Sequence, residues 1–141
     1  MTRGEFAVMV SRWLGLDLTE YQDVTLPFAD TQTIPDWMLN AVKAMYDLGY
    51  MQGSAGPNGL CANATAGITR AEAITLLYRI QPKGYARALL LFDDAADIPA
   101  WAQDAVATLV AQGAVGGSGN RFNPGNPITR AEMAKLLSVL W

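Results

Sequence analysis

Three segments of the chain share one hydrophobic pattern, in which apolar residues recur every three or four positions. This spacing is typical of a helix that buries one face. The first segment covers residues 2–15, the second covers residues 69–80, and the third begins at residue 129. Their apolar positions are Phe6, Met9, Val10 and Trp13; Ala73, Leu76, Leu77 and Ile80; and Met133, Leu136, Leu137 and Leu140. The pattern predicts three equivalent amphipathic helices.

Two further segments have helical spacing and follow an Ile-Pro-x-Trp sequence, in which proline suits the first helical turn. Trp37 and Trp101 are 64 residues apart, whereas Arg70 and Arg130 are 60 residues apart. Four extra residues therefore lie in the first of the two intervening loops, residues 51–67. Insertions that fall in loops while helix registers hold are typical of structural repeats.

The order of these elements indicates an incomplete first repeat followed by two complete ones. The repeats are residues 1–15, 28–81 and 92–141. A pair of short amphipathic helices is too small to bury its own apolar face, so the repeats must pack together. We predict an all-α, pseudo-threefold assembly that forms a single domain of residues 1–141. The missing first helix also predicts an exposed apolar strip beside Trp13, covered by a second copy of the chain or by the 16–27 connection.

Each of the three equivalent helices begins with Thr-Arg-Ala-Glu or, in the first copy, Thr-Arg-Gly-Glu. Threonine and glutamate at this spacing form a capping box. The arginines, Arg3, Arg70 and Arg130, lie at the positive end of the helix dipole, which costs about 0.3–1 kcal/mol for an exposed cation. Either a nearby acid neutralises each arginine, or each lies beside backbone N–H groups that bind an anionic ligand.

Composition and charge exclude several classes of function. Hydrophobic residues make up 51% of the chain, which is ample for a folded core, and the net charge of −3 argues against nucleic acid as a partner. No apolar run is long enough to span a bilayer, so we expect no membrane insertion. The chain has no histidine and one cysteine, Cys61. We therefore expect no enzyme activity, no catalytic residue, no metal site and no cofactor.

Five elements recur in fixed order and together resemble the S-layer homology repeat, in about two and a half copies that cover nearly the whole chain. They are Phe-x-Asp, Ile-Pro-x-Trp with its helix, a glycine pair, a turn, and Ile-Thr-Arg-Ala-Glu. The chain departs from the pattern at Gly4, where alanine is usual. It also has residues 60–62 (Leu-Cys-Ala) where the third repeat has residues 122–124 (Phe-Asn-Pro).

The resemblance implies a module that holds an exported protein to the cell wall, so that this chain is a fragment of a secreted, extracellular protein. Such modules bind a secondary cell wall polysaccharide, or a peptidoglycan-linked glycan, whose sugars carry pyruvate ketals. The arginine of the Thr-Arg-Ala-Glu motif lines their ligand grooves. A structural module that assembles copies of itself in a surface layer is the alternative.

A pyruvate ketal is a carboxylate, which guanidinium binds through two parallel hydrogen bonds. Tryptophans could form an apolar platform for sugar rings, or they could belong to the core. Glycine-containing turns would allow close backbone approach, while the aspartates could contact sugar, cap turns or hold the arginines. The expected ligand-binding residues are Arg3, Arg70, Arg130, Trp37, Trp101, Asp30, Asp94, Gln52, Gly53, Ser54, Gly117 and Ser118. Because the first repeat is incomplete, we expect Arg3 to lie in a defective or shared groove.

An acidic chain that binds an acidic polymer gains little from long-range attraction, so its affinity must come from a few local contacts. We expect Arg70→Ala or Arg130→Ala to weaken binding to the wall polysaccharide more than about 0.5 M salt does, since salt screens mainly exposed charges. Equilibrium binding to the purified polymer measures both effects. Loss of binding in moderate salt alone would contradict local recognition.

Overall fold

The computed structural model describes residues 1–81, 86–116 and 120–140. Within these residues the chain forms five α-helices, one short hairpin and three 3-10 turns. The helices are α1 (Arg3–Trp13), α2 (Asp36–Asp47), α3 (Arg70–Ile80), α4 (Ala100–Ala111) and α5 (Arg130–Leu140). The hairpin pairs β1 (Ser54–Gly56) with β2 (Gly59–Cys61), and the 3-10 turns are Leu18–Tyr21, Thr31–Thr33 and Ala95–Asp97.

The helical repeats are present as expected, with one addition. The antiparallel hairpin lies in the 51–67 loop, which is the loop that carries the four extra residues. The chain divides into two compact units, Met1–Gly67 and Ile68–Trp141. The pseudo-threefold arrangement and the single domain remain predictions. No helix in the described part of the chain has both the length and the apolar character needed to cross a membrane.

The predicted capping boxes are confirmed. In α1 the Thr2 hydroxyl accepts from the Glu5 amide at 3.1 Å, and the Glu5 carboxylate accepts from the Thr2 amide at 2.8 Å. Thr69 and Glu72 form the same pair of bonds at the start of α3. These reciprocal bonds satisfy N–H groups that have no partner within the helix.

In the first unit, α1 packs against α2, and the 3-10 turn Leu18–Tyr21 also lies against α2. The unit's largest fully buried side chains are Phe6, Val10, Val42 and Met45. The apolar strip expected beside Trp13 is covered within the chain: none of the large apolar side chains that are exposed in the described residues belongs to α1, and Phe6 and Val10 are fully buried.

In the second unit, α3 packs against α4. The segments that precede α3 and α5 are joined by a backbone bond from the Ile128 amide to the Ile68 carbonyl, 3.1 Å long. Buried residues from α5 complete the apolar interior. The unit's largest fully buried side chains are Ile68, Ile74, Leu77, Ile98, Leu109, Phe122, Ile128 and Met133.

The glycine at position 4 has a specific packing reason. A Cβ atom at Gly4 would lie 2.0 Å from the sulfur of Met38 and 3.1 Å from the Ala64 carbonyl oxygen. In the second copy the corresponding positions are Ala71 and Ala102, both buried. A large side chain on α2 therefore accompanies a missing side chain on α1, and the two residues are coupled through shared space.

This coupling can be measured with a double-mutant cycle. We expect Gly4→Ala to lower the free energy of unfolding by about 1–3 kcal/mol, because the added methyl group overpacks a closed interior. In the Met38→Ala background the same substitution should cost much less, since the sulfur is gone. Urea denaturation followed by circular dichroism gives each value.

The matched control is Gly67→Ala, because a Cβ there would meet nothing closer than the Met1 carbonyl at 3.9 Å. An equal cost for Gly4→Ala in both backgrounds would show that Met38 is not the obstacle.

Candidate functional site

The first backbone N–H groups of α1 and α3 are engaged by the loop that precedes the next Thr-Arg-Ala-Glu helix. The bonds are Arg3 N–H to Ala66 O, 3.0 Å; Gly4 N–H to Ala64 O, 2.8 Å; Arg70 N–H to Asn126 O, 2.9 Å; and Ala71 N–H to Pro124 O, 3.1 Å. Helix N-termini are open to anions only while these donors lack partners. The expectation that they bind the ligand is therefore wrong for these four donors, which instead fix each arginine beside a loop.

The two aspartates of the Phe-x-Asp sequences shape these loops. Both oxygens of the Asp30 carboxylate accept backbone N–H bonds, from Ala62 at 2.8 Å and Asn63 at 2.9 Å. Asp94 accepts from Phe122 and Asn123, each at 2.8 Å. This geometry matches the turn-capping alternative for the aspartates. Each carboxylate oxygen already accepts one backbone bond, so both aspartates are tied to the loops.

These bonds correct the sequence alignment of the two repeats. Residues 60–62 do not correspond to residues 122–124, because Asp30 contacts residues 62 and 63 where Asp94 contacts residues 122 and 123. Asn63 and Asn123 also share the left-handed backbone conformation, with φ of 53° and 58°, which asparagine tolerates better than most residues. The hairpin of the first loop lies before this shared turn and absorbs the extra residues.

Asp94 is buried, and its charge is stabilised by the loop it holds. Burial alone would raise the pKa of this carboxyl group, but the N–H bonds from Phe122 and Asn123, with a smaller contribution from the Arg121 charge, bring the pKa below its ordinary value. The carboxylate is therefore ionised at any pH where the protein is expected to function.

Arg70 is held from three sides. Its Nε donates to the Phe122 carbonyl at 2.9 Å, its Nη1 pairs with the Glu132 carboxylate, and its guanidinium carbon lies 5.1 Å from the centre of the Phe122 ring. Burial lowers the pKa of Arg70, while the charge of Asp94 partly opposes that shift. The group remains a cation near neutral pH. An internal acid thus neutralises Arg70, which is the first of the two alternatives that the sequence left open.

An open cleft nevertheless lies beside Arg70, within the second unit. Its volume is about 420 Å³, within the usual range for small-ligand sites. It combines two cations, one acid, two asparagines and several apolar groups. The lining residues are Arg70, Ile74, Ala114, Val115, Gly116, Asn123, Asn126, Pro127, Glu132, Lys135 and Leu136.

The other two arginines differ from Arg70. Arg3 donates from Nη1 to the Gly67 carbonyl at 2.9 Å, and partial burial lowers its pKa. The backbone at Arg3 makes the same two loop contacts as the backbone at Arg70. A defective or shared groove at Arg3 stays a prediction. However, Ala62 occupies the position of Phe122, so no aromatic ring stands there. Arg130 is exposed at the first turn of α5.

Trp37 and Trp101 are surface residues, with 61% and 59% of their area exposed. The interpretation that places them in the core is therefore wrong. The neighbouring positions, Met38 and Ala102, carry the buried face of α2 and α4 instead. Both tryptophans are accessible to a ligand, although Trp101 is not among the residues that line the cleft beside Arg70.

Gly53, one of the glycines expected to approach a ligand, approaches the protein itself. It has a positive φ of 78°, and a Cβ there would lie 2.5 Å from the Phe28 ring. Gln52 and Ser54 are exposed, and the Ser54 hydroxyl accepts from the Asn63 side chain at 3.1 Å. Gly117 and Ser118 lie outside the described residues.

Sequence reasoning missed several residues of the cleft. It assigned Glu132 a capping role alone and placed Asn123 in a turn, and it did not consider Lys135 or Asn126. The one available signal was the cation on the polar face of α5, five positions after Arg130. In the described residues no group of three histidine, cysteine, aspartate or glutamate side chains is arranged to hold a metal ion.

Comparison with known proteins agrees with the repeat structure. The family described as "S-layer homology domain" matches residues 27–58 and 91–134. An amylopullulanase of Thermoanaerobacterium thermosulfurigenes is 32% identical over 143 aligned positions, and the exoglucanase XynX of Acetivibrio thermocellus is 29% identical over the same length. Each alignment covers 97% of this chain, but the chain spans only 7% and 12% of those two proteins.

The Asp94 bonds lead to a prediction about acid stability. A carboxyl group whose pKa is lowered by folding stabilises the protein fully above its unfolded-state pKa of about 3.9, and this contribution is lost as the pH falls through the folded-state value. We expect Asp94→Asn to lower the free energy of unfolding at neutral pH by about 1–3 kcal/mol. The reason is that one backbone N–H group of the loop then faces the side-chain NH2 group of asparagine and loses its acceptor.

Urea denaturation between neutral pH and about pH 3 tests this expectation, since the variant should lose less stability on acidification than the wild type does. An acid profile unchanged by the substitution would show that Asp94 does not hold the loop.

Proposed function

This chain belongs to the S-layer homology domain family, and we propose that it anchors a larger exported protein to the cell wall by binding a wall polysaccharide with pyruvylated sugars. Domains of this family are non-catalytic, occur in cell-surface proteins and bind cell-wall polymers. The two relatives carry this segment as a small part of much longer enzymes. The catalytic or other cargo of the present protein would therefore lie outside these 141 residues.

The observation that carries the proposal is the position of Arg70 at the edge of an open cleft. A guanidinium has five N–H donors, and Arg70 uses Nε and Nη1 internally. Its Nη2 has no partner among the described residues, so it can donate to the carboxylate of a pyruvate ketal.

The rest of the cleft suits a sugar ring. Asn123 and Asn126 offer amide donors and acceptors for hydroxyl groups, and Ile74 and Leu136 offer apolar surface. Trp37 and Trp101 would contact more distant parts of the polymer, because both are exposed. Asp30, Asp94 and Gly53 would act indirectly, by holding the shape of the loops.

A second candidate is a self-assembly module that joins copies of the protein in a surface layer. The segment before the third repeat favours it, because Leu89 and Leu91 expose 82% and 77% of their surface. Exposed apolar side chains of this kind are common at protein contacts.

Retention on purified wall sacculi separates the two candidates. We expect the chain to sediment with sacculi that retain their pyruvylated polymer and to remain in solution once the polymer has been removed. Arg70→Gln should reduce retention, since it removes the guanidinium from the cleft. Equal retention on sacculi with and without the polymer would favour self-assembly or direct binding to peptidoglycan.

Arg87→Gln is the matched control for Arg70→Gln. Arg87 forms an exposed ion pair with Asp104, 2.7 Å long, and does not line the cleft. The same loss in both variants would mean that net charge, and not the cleft, determines retention.

A further inference from the structure

The charge balance of the cleft does not come from Arg70 alone. Arg70 pairs directly with Glu132, so one cation and one anion cancel at that edge of the cleft. Lys135 also lines the cleft, and its ammonium group has no partner among the described residues. Without Lys135 the charged lining would be neutral, and with it the lining carries one net positive charge.

We propose that Lys135 is the residue that makes this cleft select an acidic sugar over a neutral one. This inference rests on the proposed function and names the second cation of the same site. The ligand carboxylate would lie between the Arg70 and Lys135 side chains. Arg70, fixed by Phe122 and Glu132, would provide direction, and Lys135 would provide the uncompensated charge.

The repeats support a special role for this position. Lys135 lies five positions after Arg130. The residues five positions after Arg3 and Arg70 are Val8 in α1 and Thr75 in α3, and both are buried. The Thr75 hydroxyl is already used, since it donates to the Ala71 carbonyl at 2.8 Å. A cation therefore occurs at this helical position in α5 but in neither of the other two helices. The cleft beside Arg70 is thus the one equipped for acid selection in this way.

Glu132 contacts both the cap of α5 and Arg70. Its carboxylate accepts a bond from the Thr129 hydroxyl at 3.1 Å, and its second oxygen holds Arg70. The carboxylate thus helps to cap α5 and competes with a ligand for the guanidinium. Replacing it with glutamine keeps an acceptor for the cap and removes the competing charge.

The test uses the full chain and two forms of one polymer: the purified pyruvylated wall polysaccharide, and the same polymer after mild acid has removed its ketals. Isothermal titration calorimetry gives the ratio of the two affinities. We expect Lys135→Gln to lower this ratio by roughly two- to fivefold, the effect of losing one exposed charge contact. Affinity for the ketal-free polymer should not change. Lys135→Arg should keep the wild-type ratio, and Glu132→Gln should raise it.

Lys43→Gln provides the matched control. It makes the same change of charge on α2, where the Lys43 ammonium donates to the Gln22 carbonyl at 2.7 Å, and it should leave the ratio unchanged. A wild-type ratio in Lys135→Gln, or an equal fall in Lys43→Gln, would overturn the role of Lys135 while leaving wall anchoring intact. A lower affinity ratio in Glu132→Gln would also overturn the claim that the net charge of the cleft determines selectivity. Failure of the wild type to bind either polymer would overturn the proposed function together with the inference.

Discussion

The backbone bonds between a helix start and the next repeat's loop are the constraint on which the rest of the structure depends. Two N–H groups at the start of α1, and two at the start of α3, donate to carbonyls of that loop. A helix terminus would otherwise need water or a ligand for these donors. Because the loop meets this need, Arg3 and Arg70 are each placed against a loop. The site is therefore a consequence of how one repeat closes on the next.

The same constraint explains why two carboxylates near the loop are used internally. Asp94 gives both oxygens to backbone N–H groups, and Glu132 neutralises Arg70. Buried charges persist in proteins when they are paired and hydrogen-bonded. In the proposed function, Arg70 would contribute geometry, while the net charge of the cleft would come from Lys135, which no repeat motif includes. Shape and selectivity would then come from different residues of one cleft.

The sequence was sufficient to predict the helices, because their 3.6-residue period and capping boxes are local features. It left open or missed the roles that depend on distant partners. The pairing of Arg70 with Glu132 joins residues 62 positions apart, and the reason for Gly4 is the sulfur of Met38. Trp37 and Met38 are adjacent in α2, and the sequence alone left open whether Trp37 belongs to the core, whereas the structure buries Met38 and exposes Trp37. The open cleft itself follows from packing, which no local pattern encodes.

The most direct test of this account is a crystal structure of the chain with a pyruvylated aminosugar. We predict that the sugar carboxylate lies within hydrogen-bond distance of both the Arg70 guanidinium and the Lys135 ammonium group. The bonds from Phe122 and Asn123 to Asp94 should be unchanged, because the loop is preformed. A sugar bound away from Arg70, or a carboxylate bound to the backbone N–H groups at a helix start after the loop has moved, would contradict the account.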